Sequence, residues 1–210
     1  MIEKRPPEAL APIIEALLLT AGQPMNLNQI ASIFEDNERP TPGEIGQAIE
    51  LLRTQCEGRG VELKEVASGF RLQVREEFME WVSRLWEDRP QRYSRALLET
   101  LALIAYRQPI TRSDIEEVRG VSVSTNIIRT LQEREWIRVV GHRDVPGKPA
   151  LFGTTKAFLD YFNLSSLDDL PTLAEIKDIE SLEPELEFDA AEPSEEEEAE
   201  EERADEMHEA

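Results

Sequence analysis

The stretch SRALLETLALIAYRQPITRSDIEEVRGVSVSTNIIRTLQEREWIRVVGHRDVPGKPALFGTT, residues 94–155, decides the fold. Leu97, Leu101, Ile104 and Ala105 recur at i, i+4, i+7 and i+8, one apolar stripe at helical period. Pro109 stops this helix. Thr111 then stands as an N-cap with Asp114 three residues on, a capping box in which Asp replaces the usual Glu or Gln. Ile115 and Val118 read as the inner face of a short second helix that Gly120 ends. Ser122 or Ser124 caps a third helix with Ile127, Ile128 and Leu131 turned inward. Trp136–Val140 is β-branched and aromatic and reads as a strand. Val145-Pro146-Gly147-Lys148-Pro149 is turn chemistry, and Ala150–Thr154 returns as a second strand. Three helices followed by a hairpin make a winged helix.

Outward from this stretch, the first 93 residues repeat the plan. Aligning Gln23-Pro24 with Gln108-Pro109, an offset of 85, matches Leu18 with Leu103 and Leu19 with Ile104. It also matches Met25 with Ile110, Asn26 with Thr111, Ile30 with Ile115 and Ile33 with Val118. Thr41, Pro42 and Glu44 make a helix start, and Ile45, Ile49 and Leu52 its inner stripe. Val61–Val66 and Phe70–Val74 alternate as strands, with Ser68-Gly69 as their turn. Glu76–Glu87 reads as one further amphipathic helix. Its stripe of Phe78, Trp81, Val82, Leu85 and Trp86 is either core that closes the first domain or a self-association surface. After the second hairpin, Lys156–Phe162 is a short helix, and Ser166, Asp169, Leu170 and Pro171 a compact acidic turn.

The expected fold is therefore mainly α with small β-wings: two tandem winged-helix domains plus a disordered acidic C-terminal tail. The divisions fall at 1–88 for the first domain, 89–93 for a linker, 94–174 for the second domain and 175–210 for the tail. The net charge of −21 is concentrated in that tail, which holds 18 acids against 2 bases, too few apolar groups to offset ordering. Residues 94–174 hold 10 charges of each sign and are neutral.

Composition narrows the function. No apolar run reaches 18 residues and the N-terminus has no signal-like apolar core, so a soluble cytoplasmic protein is expected. A single cysteine, Cys56, excludes an intramolecular disulfide and a cysteine-based zinc site, and two histidines leave little for a His-rich one. His142-Arg143-Asp144 resembles a kinase catalytic loop, but Pro149 stands where that loop needs Asn. Gly147-Lys148 lacks the preceding glycine spacing of a phosphate-binding loop and the following Ser or Thr. No catalytic constellation is present, so the chain is expected to be no enzyme and to need no cofactor.

Binding remains. A DNA-reading winged helix would present Ser122, Ser124, Thr125, Asn126 and Arg129 to bases, with Arg143 and Lys148 on phosphates. The neutral second domain lacks the basic excess of such a module, and Glu44, Gln47 and Glu50 would repel phosphate in the first. The architecture points to protein contacts, with a tandem winged-helix transcriptional regulator as the alternative.

Several segments in order sharpen this reading. They are Arg107-Gln108-Pro109-Ile110-Thr111, Ile115–Val121, Ile127–Leu131, Val145–Pro149, Leu151–Thr155, Phe158-Leu159 and Asp169-Leu170-Pro171. Together they resemble the segregation and condensation protein B family, bacterial kleisin-associated winged-helix proteins, over roughly residues 8–173. His142 stands where that family commonly has Arg, and Phe152 where Tyr is frequent. The resemblance implies a non-enzymatic subunit of a condensin-like complex, associated with the nucleoid and supporting chromosome condensation and partition during cell division. It implies a homodimer formed through the first winged helix that holds the kleisin, segregation and condensation protein A. The SMC ATPase is then reached through the kleisin, and DNA through the whole complex. On that reading Arg129, Arg143, Val145, Pro146, Gly147, Lys148 and Pro149 are candidate kleisin contacts. Phe78, Trp81, Val82, Leu85 and Trp86 are candidate dimer contacts.

Overall fold

A computed structural model describes residues 5–85 and 93–172. The chain is mainly helical with two small antiparallel hairpins, the element order of winged-helix proteins. The first half runs α1 (Pro7–Ala21), α2 (Leu27–Ser32), α3 (Pro42–Gln55), β1 (Val61–Val66) and β2 (Gly69–Val74). A short helical turn, α4 (Met79–Val82), follows it. The second half runs α5 (Arg95–Arg107), α6 (Arg112–Arg119), α7 (Thr125–Glu133), β3 (Ile137–His142), β4 (Ala150–Thr154) and α8 (Lys156–Tyr161). The expected acidic tail and the residue Trp86 lie outside the described residues.

Each half buries its own core. In the first, Leu10, Ile14, Ile30, Ile45, Ile49 and Leu52 are fully enclosed; in the second, Ile104, Ile115, Val123 and Leu131 are. The helix starts are set by local hydrogen bonding. Asn26, Thr41 and Thr111 each accept from the backbone N–H three residues on, while Gln29, Glu44 and Asp114 reach back to the cap N–H. Ser124, rather than Ser122, caps α7. Cys56 closes α3 and is buried, and burial pushes its thiol pKa up, as suits an inert residue.

In both halves one residue makes the third strand of the wing. Met25 exchanges two backbone hydrogen bonds with Phe70, both 2.9 Å, and Ile110 does the same with Phe152 at 3.2 and 2.8 Å. Gly69 follows from this closeness. The hairpin turn is Ala67-Ser68, not Ser68-Gly69, because Val66 pairs with Gly69 and Gly69 opens β2. Gly69 has φ of 136°, and a Cβ there would lie 2.3 Å from the Met25 carbonyl oxygen.

The repeat needs two corrections. In the first helix the buried positions correspond at an offset of 86, not 85: Ala11 with Leu97, Ile14 with Thr100 and Leu18 with Ile104. The extra residue is Gly22, which caps α1 in the left-handed region, whereas α5 passes directly into Gln108. Leu19, matched to Ile104 at offset 85, is accordingly exposed. The second correction concerns Ile33 and Val118, which are exposed rather than inward. In each short helix the position four after the buried isoleucine takes the inner slot. Phe34 packs there in the first half; in the second, the Arg119 side chain lies there, 10% exposed, donating to Thr100 and Glu99.

The halves also touch. The Ala67 N–H donates to the Leu164 carbonyl and the Ser68 N–H to Asp160 Oδ1, both at 3.0 Å, and Arg71 donates to Asn163 Oδ1. The turn of the first hairpin thus rests on α8 and the residues after it.

Candidate partner-binding surfaces

The second wing is the loop between β3 and β4. β3 starts at Ile137, one residue after the expected start, and bulges between Val139 and Gly141. Val145, Pro146, Gly147 and Lys148 stand exposed at the tip, while Pro149 is half-buried. The Lys148 N–H donates to the Val145 carbonyl at 2.9 Å, and the Arg143 N–H to that of Pro149 at 3.0 Å, which closes the loop. Gly147 and Lys148 both have positive φ, so the tip is a defined turn.

Arg143 is held from below. Its two terminal nitrogens meet the two carboxylate oxygens of Asp114 at 2.9 and 2.6 Å, a bidentate pair. Asp114 is also the third residue of α6 and accepts from the Thr111 N–H and hydroxyl. The Arg143 hydrogen bonds, then those from Thr111, hold the Asp114 carboxyl well below the usual Asp range. The wing is therefore tied to the start of α6. Arg129 projects from α7, donating to Asn126 Oδ1 at 2.9 Å and lying 3.7 Å from Glu133. It is not brought together with Arg143 by any hydrogen bond or ion pair.

The sequence reading missed an aromatic cluster at the opposite end of the second hairpin. Trp136 is buried, with the rings of Tyr93, Tyr161 and Phe162 centred 5.1, 4.6 and 5.4 Å away. The Arg134 guanidinium covers Tyr93 and Trp136 and donates to the Tyr93 hydroxyl. The spacing Tyr93, Trp136, Tyr161-Phe162 carries no periodicity that links them, so only the fold shows their proximity.

The segment after the first hairpin is different. The expected single helix over Glu76–Glu87 is broken: Glu76–Phe78 and Ser83–Leu85 are tight three-residue turns on either side of α4. Phe78 is 38% exposed, Trp81 57% and Leu85 78%, with Met79 also exposed and Val82 half-buried. Isolated from a deep core, this stretch has too few inward contacts to hold one continuous helix. Of the two readings of this stripe, core is excluded for Phe78, Trp81 and Leu85.

Among the described residues no helix is long and apolar enough to cross a membrane, and no His, Cys, Asp and Glu cluster is suited to a metal ion. Two successive three-helix-and-hairpin units, each with its own core, define a protein of the winged-helix class. Comparison with known proteins agrees. The family model described as "Segregation and condensation complex subunit ScpB" matches residues 12–173. The segregation and condensation protein B homolog of Coxiella burnetii is 56% identical over 171 residues, covering 81% of this chain and 82% of that one. The segregation and condensation protein B of Syntrophotalea carbinolica is 46% identical over 181 residues, covering 86% and 90%. The crystal structure of ScpB from Mycobacterium tuberculosis is 32% identical, covers 77% of this chain and 99% of that one, and overlays with a TM-score of 0.36. The chain belongs to the segregation and condensation protein B family.

Proposed function

We propose that this chain is the homodimeric, kleisin-binding subunit of a bacterial SMC condensin-like complex that supports chromosome condensation and partition. It acts as two winged-helix domains in tandem, 1–88 for dimerisation and 94–174 for the kleisin. It works at the nucleoid without chemistry of its own; ATP turnover lies with the SMC protein reached through the kleisin. The observation that carries the reading, beside family membership, is the exposed row of Phe78, Met79, Trp81 and Leu85. Large apolar and aromatic groups left in water at one edge of a small core are the anchors of an interface.

The wing supplies the second surface. Val145, Pro146, Gly147 and Lys148 present a preformed edge, Pro149 and Arg143 hold it, and Arg129 flanks it. A fixed edge loses little entropy on binding an extended segment. The DNA-regulator alternative is less well served, since Arg143 is held in a bidentate pair with Asp114 and residues 94–174 carry no basic excess.

The test is light scattering on a sizing column, with and without the kleisin of the same genome. A dimer that takes up one kleisin per two copies is expected. Trp81→Ala with Leu85→Ala should give a folded monomer, and Lys148→Glu with Arg129→Glu a dimer that no longer retains the kleisin. A wild-type monomer that ignores the kleisin would overturn the reading.

A further inference from the structure

The neutral total of the second half conceals an uneven distribution of charge. Arg95, Arg112, Arg119, Arg129 and Arg143 are each matched to a carboxylate. Five cations of this half form no ion pair among the described residues: Arg134, which lies over the Tyr93 and Trp136 rings, Lys148 at the exposed wing tip, and Arg107, Arg138 and Lys156. Arg138 and Lys156 both line an open cleft of about 430 Å³ whose wall also includes Gln108 and Leu159. Gln108 adjoins Arg107 at the end of α5. Two of these cations thus line one concave place, and Arg107 is the chain neighbour of a third lining residue.

The described chain ends beside that place. The Tyr106 hydroxyl donates to the Pro171 carbonyl, which fixes the exit next to Arg107 and Gln108. The first acid of the tail, Glu175, follows Thr172 by three residues, a reach of at most about 11 Å. From there to the C-terminus the sequence carries 18 acids against 2 bases. We propose that the acidic tail, residues 175–210, occupies this cleft in the same chain, its carboxylates answering Arg107, Arg138 and Lys156. The tail then acts as a built-in competitor that keeps other polyanions off the second half. No single contact needs to be strong. Tethering raises the local carboxylate concentration to roughly the millimolar range, and many carboxylates share few cations. The occupancy is electrostatic and exposed, so salt should release it once the screening length falls to about 4 Å or less.

The experiment compares backbone amide spectra of the full chain and of a chain ending at Ala174, at about 50 and 500 mM salt. At low salt the signals of Arg107, Arg138, Thr155, Lys156 and Leu159 should differ between the two chains, with the core unchanged; at high salt they should coincide. A synthetic peptide of residues 175–210 added to the short chain should move the same signals back. In the full chain, Arg138→Gln with Lys156→Gln should reduce the effect of truncation at Thr155 and Leu159 several-fold. Coincident spectra at low salt would overturn the proposal. So would changes centred on the wing at 143–149, or changes that grow with protein concentration, which would mean capture by another copy.

Discussion

Gly60 and Trp136 occupy the same place in the two halves, and most of what distinguishes the halves follows from that difference. Each precedes the first strand of its hairpin, and each carbonyl accepts from the residue just after the second strand: Arg75 N–H to Gly60 and Thr155 N–H to Trp136, both at 3.1 Å. In each half an aromatic segment then begins three residues on, with Phe78 or Phe158. In the second half Trp136 gives that segment a floor, so Phe158 is 3% exposed and α8 folds down with Tyr161 and Phe162 against the indole. In the first half Gly60 offers no side chain to pack on; a Cβ built there would meet the Phe78 ring at 3.8 Å, ordinary van der Waals contact. Phe78, Trp81 and Leu85 then remain in water. One half packs its aromatic segment on the indole, with Phe158 enclosed and Tyr161 and Phe162 covered on one side only; the other half leaves its segment without such a floor.

The largest effect should come from removing the floor. Trp136→Ala takes out a buried indole and should cost about 3–5 kcal/mol, read as a lowered urea midpoint for the second half. It should also remove the ring contacts of Tyr161 and Phe162 and make both more mobile in solution NMR. If stability fell by less than about 1 kcal/mol, the indole would not be the device that separates the halves.

Gly69→Ala should follow at about 2–3 kcal/mol, since it forces a non-glycine residue into a strained φ and into the Met25 carbonyl. The second half supplies the control. A Cβ on Gly153 would meet side-chain atoms of Gln108 and Val140, at 2.9 and 3.0 Å, rather than backbone, and its φ is not in the left-handed region. Gly153→Ala should therefore cost clearly less in the same denaturation series. Equal costs would mean that the backbone bridge from Met25 to Phe70 gives way easily.

The sequence made much of this visible, and for identifiable reasons. Thr111 with Asp114 and Thr41 with Glu44 are local signals, and local signals survive into the fold. Leu97, Leu101, Ile104 and Ala105 lie on one helix face at any tertiary arrangement, and all four are buried. What failed was long-range or depended on a single residue. Val118 and Ile33 looked inward by spacing, yet Arg119 and Phe34 lie closer to the inner direction, and sequence alone gave no reason to bury an arginine. Among the candidate site residues, the exposure of Phe78, Trp81 and Leu85 was not legible, because Gly60 and Trp136 stand 76 residues apart, off the offset of the repeat, and correspond only in the folded hairpins. The Asp114–Arg143 pair spans 29 residues and leaves no periodic trace.

Capping should give the next effect. Thr111→Ala and Asn26→Ala each remove a cap acceptor and should cost about 0.5–2 kcal/mol. Thr111 is buried and its box also carries the ion pair to the wing, so its substitution should cost more than that of the exposed Asn26. Hydrogen exchange of α6 against α2 would check the order.

The smallest effect is the most specific to the wing. Asp114 has a folded pKa below its unfolded value of about 3.9, so its contribution is fully present above that value and is lost as pH falls through the depressed folded value. At neutral pH, where the complex would assemble, the pair is intact. Between about pH 5 and pH 2 the second half should therefore lose stability, and Asp114→Asn should flatten that slope without changing the slope of the first half. Both partners are partly solvated, so the pair is screened and the change should be modest. Its functional sign is clearer. With Asp114→Asn the Arg143 amide should exchange faster at pH 7 while the α6 helix persists, and the wing should hold the kleisin less tightly through a faster off-rate. A wing equally ordered in the variant would show that the Val145 to Pro149 turn keeps its shape unaided, and Arg143 would then be free to meet the partner directly.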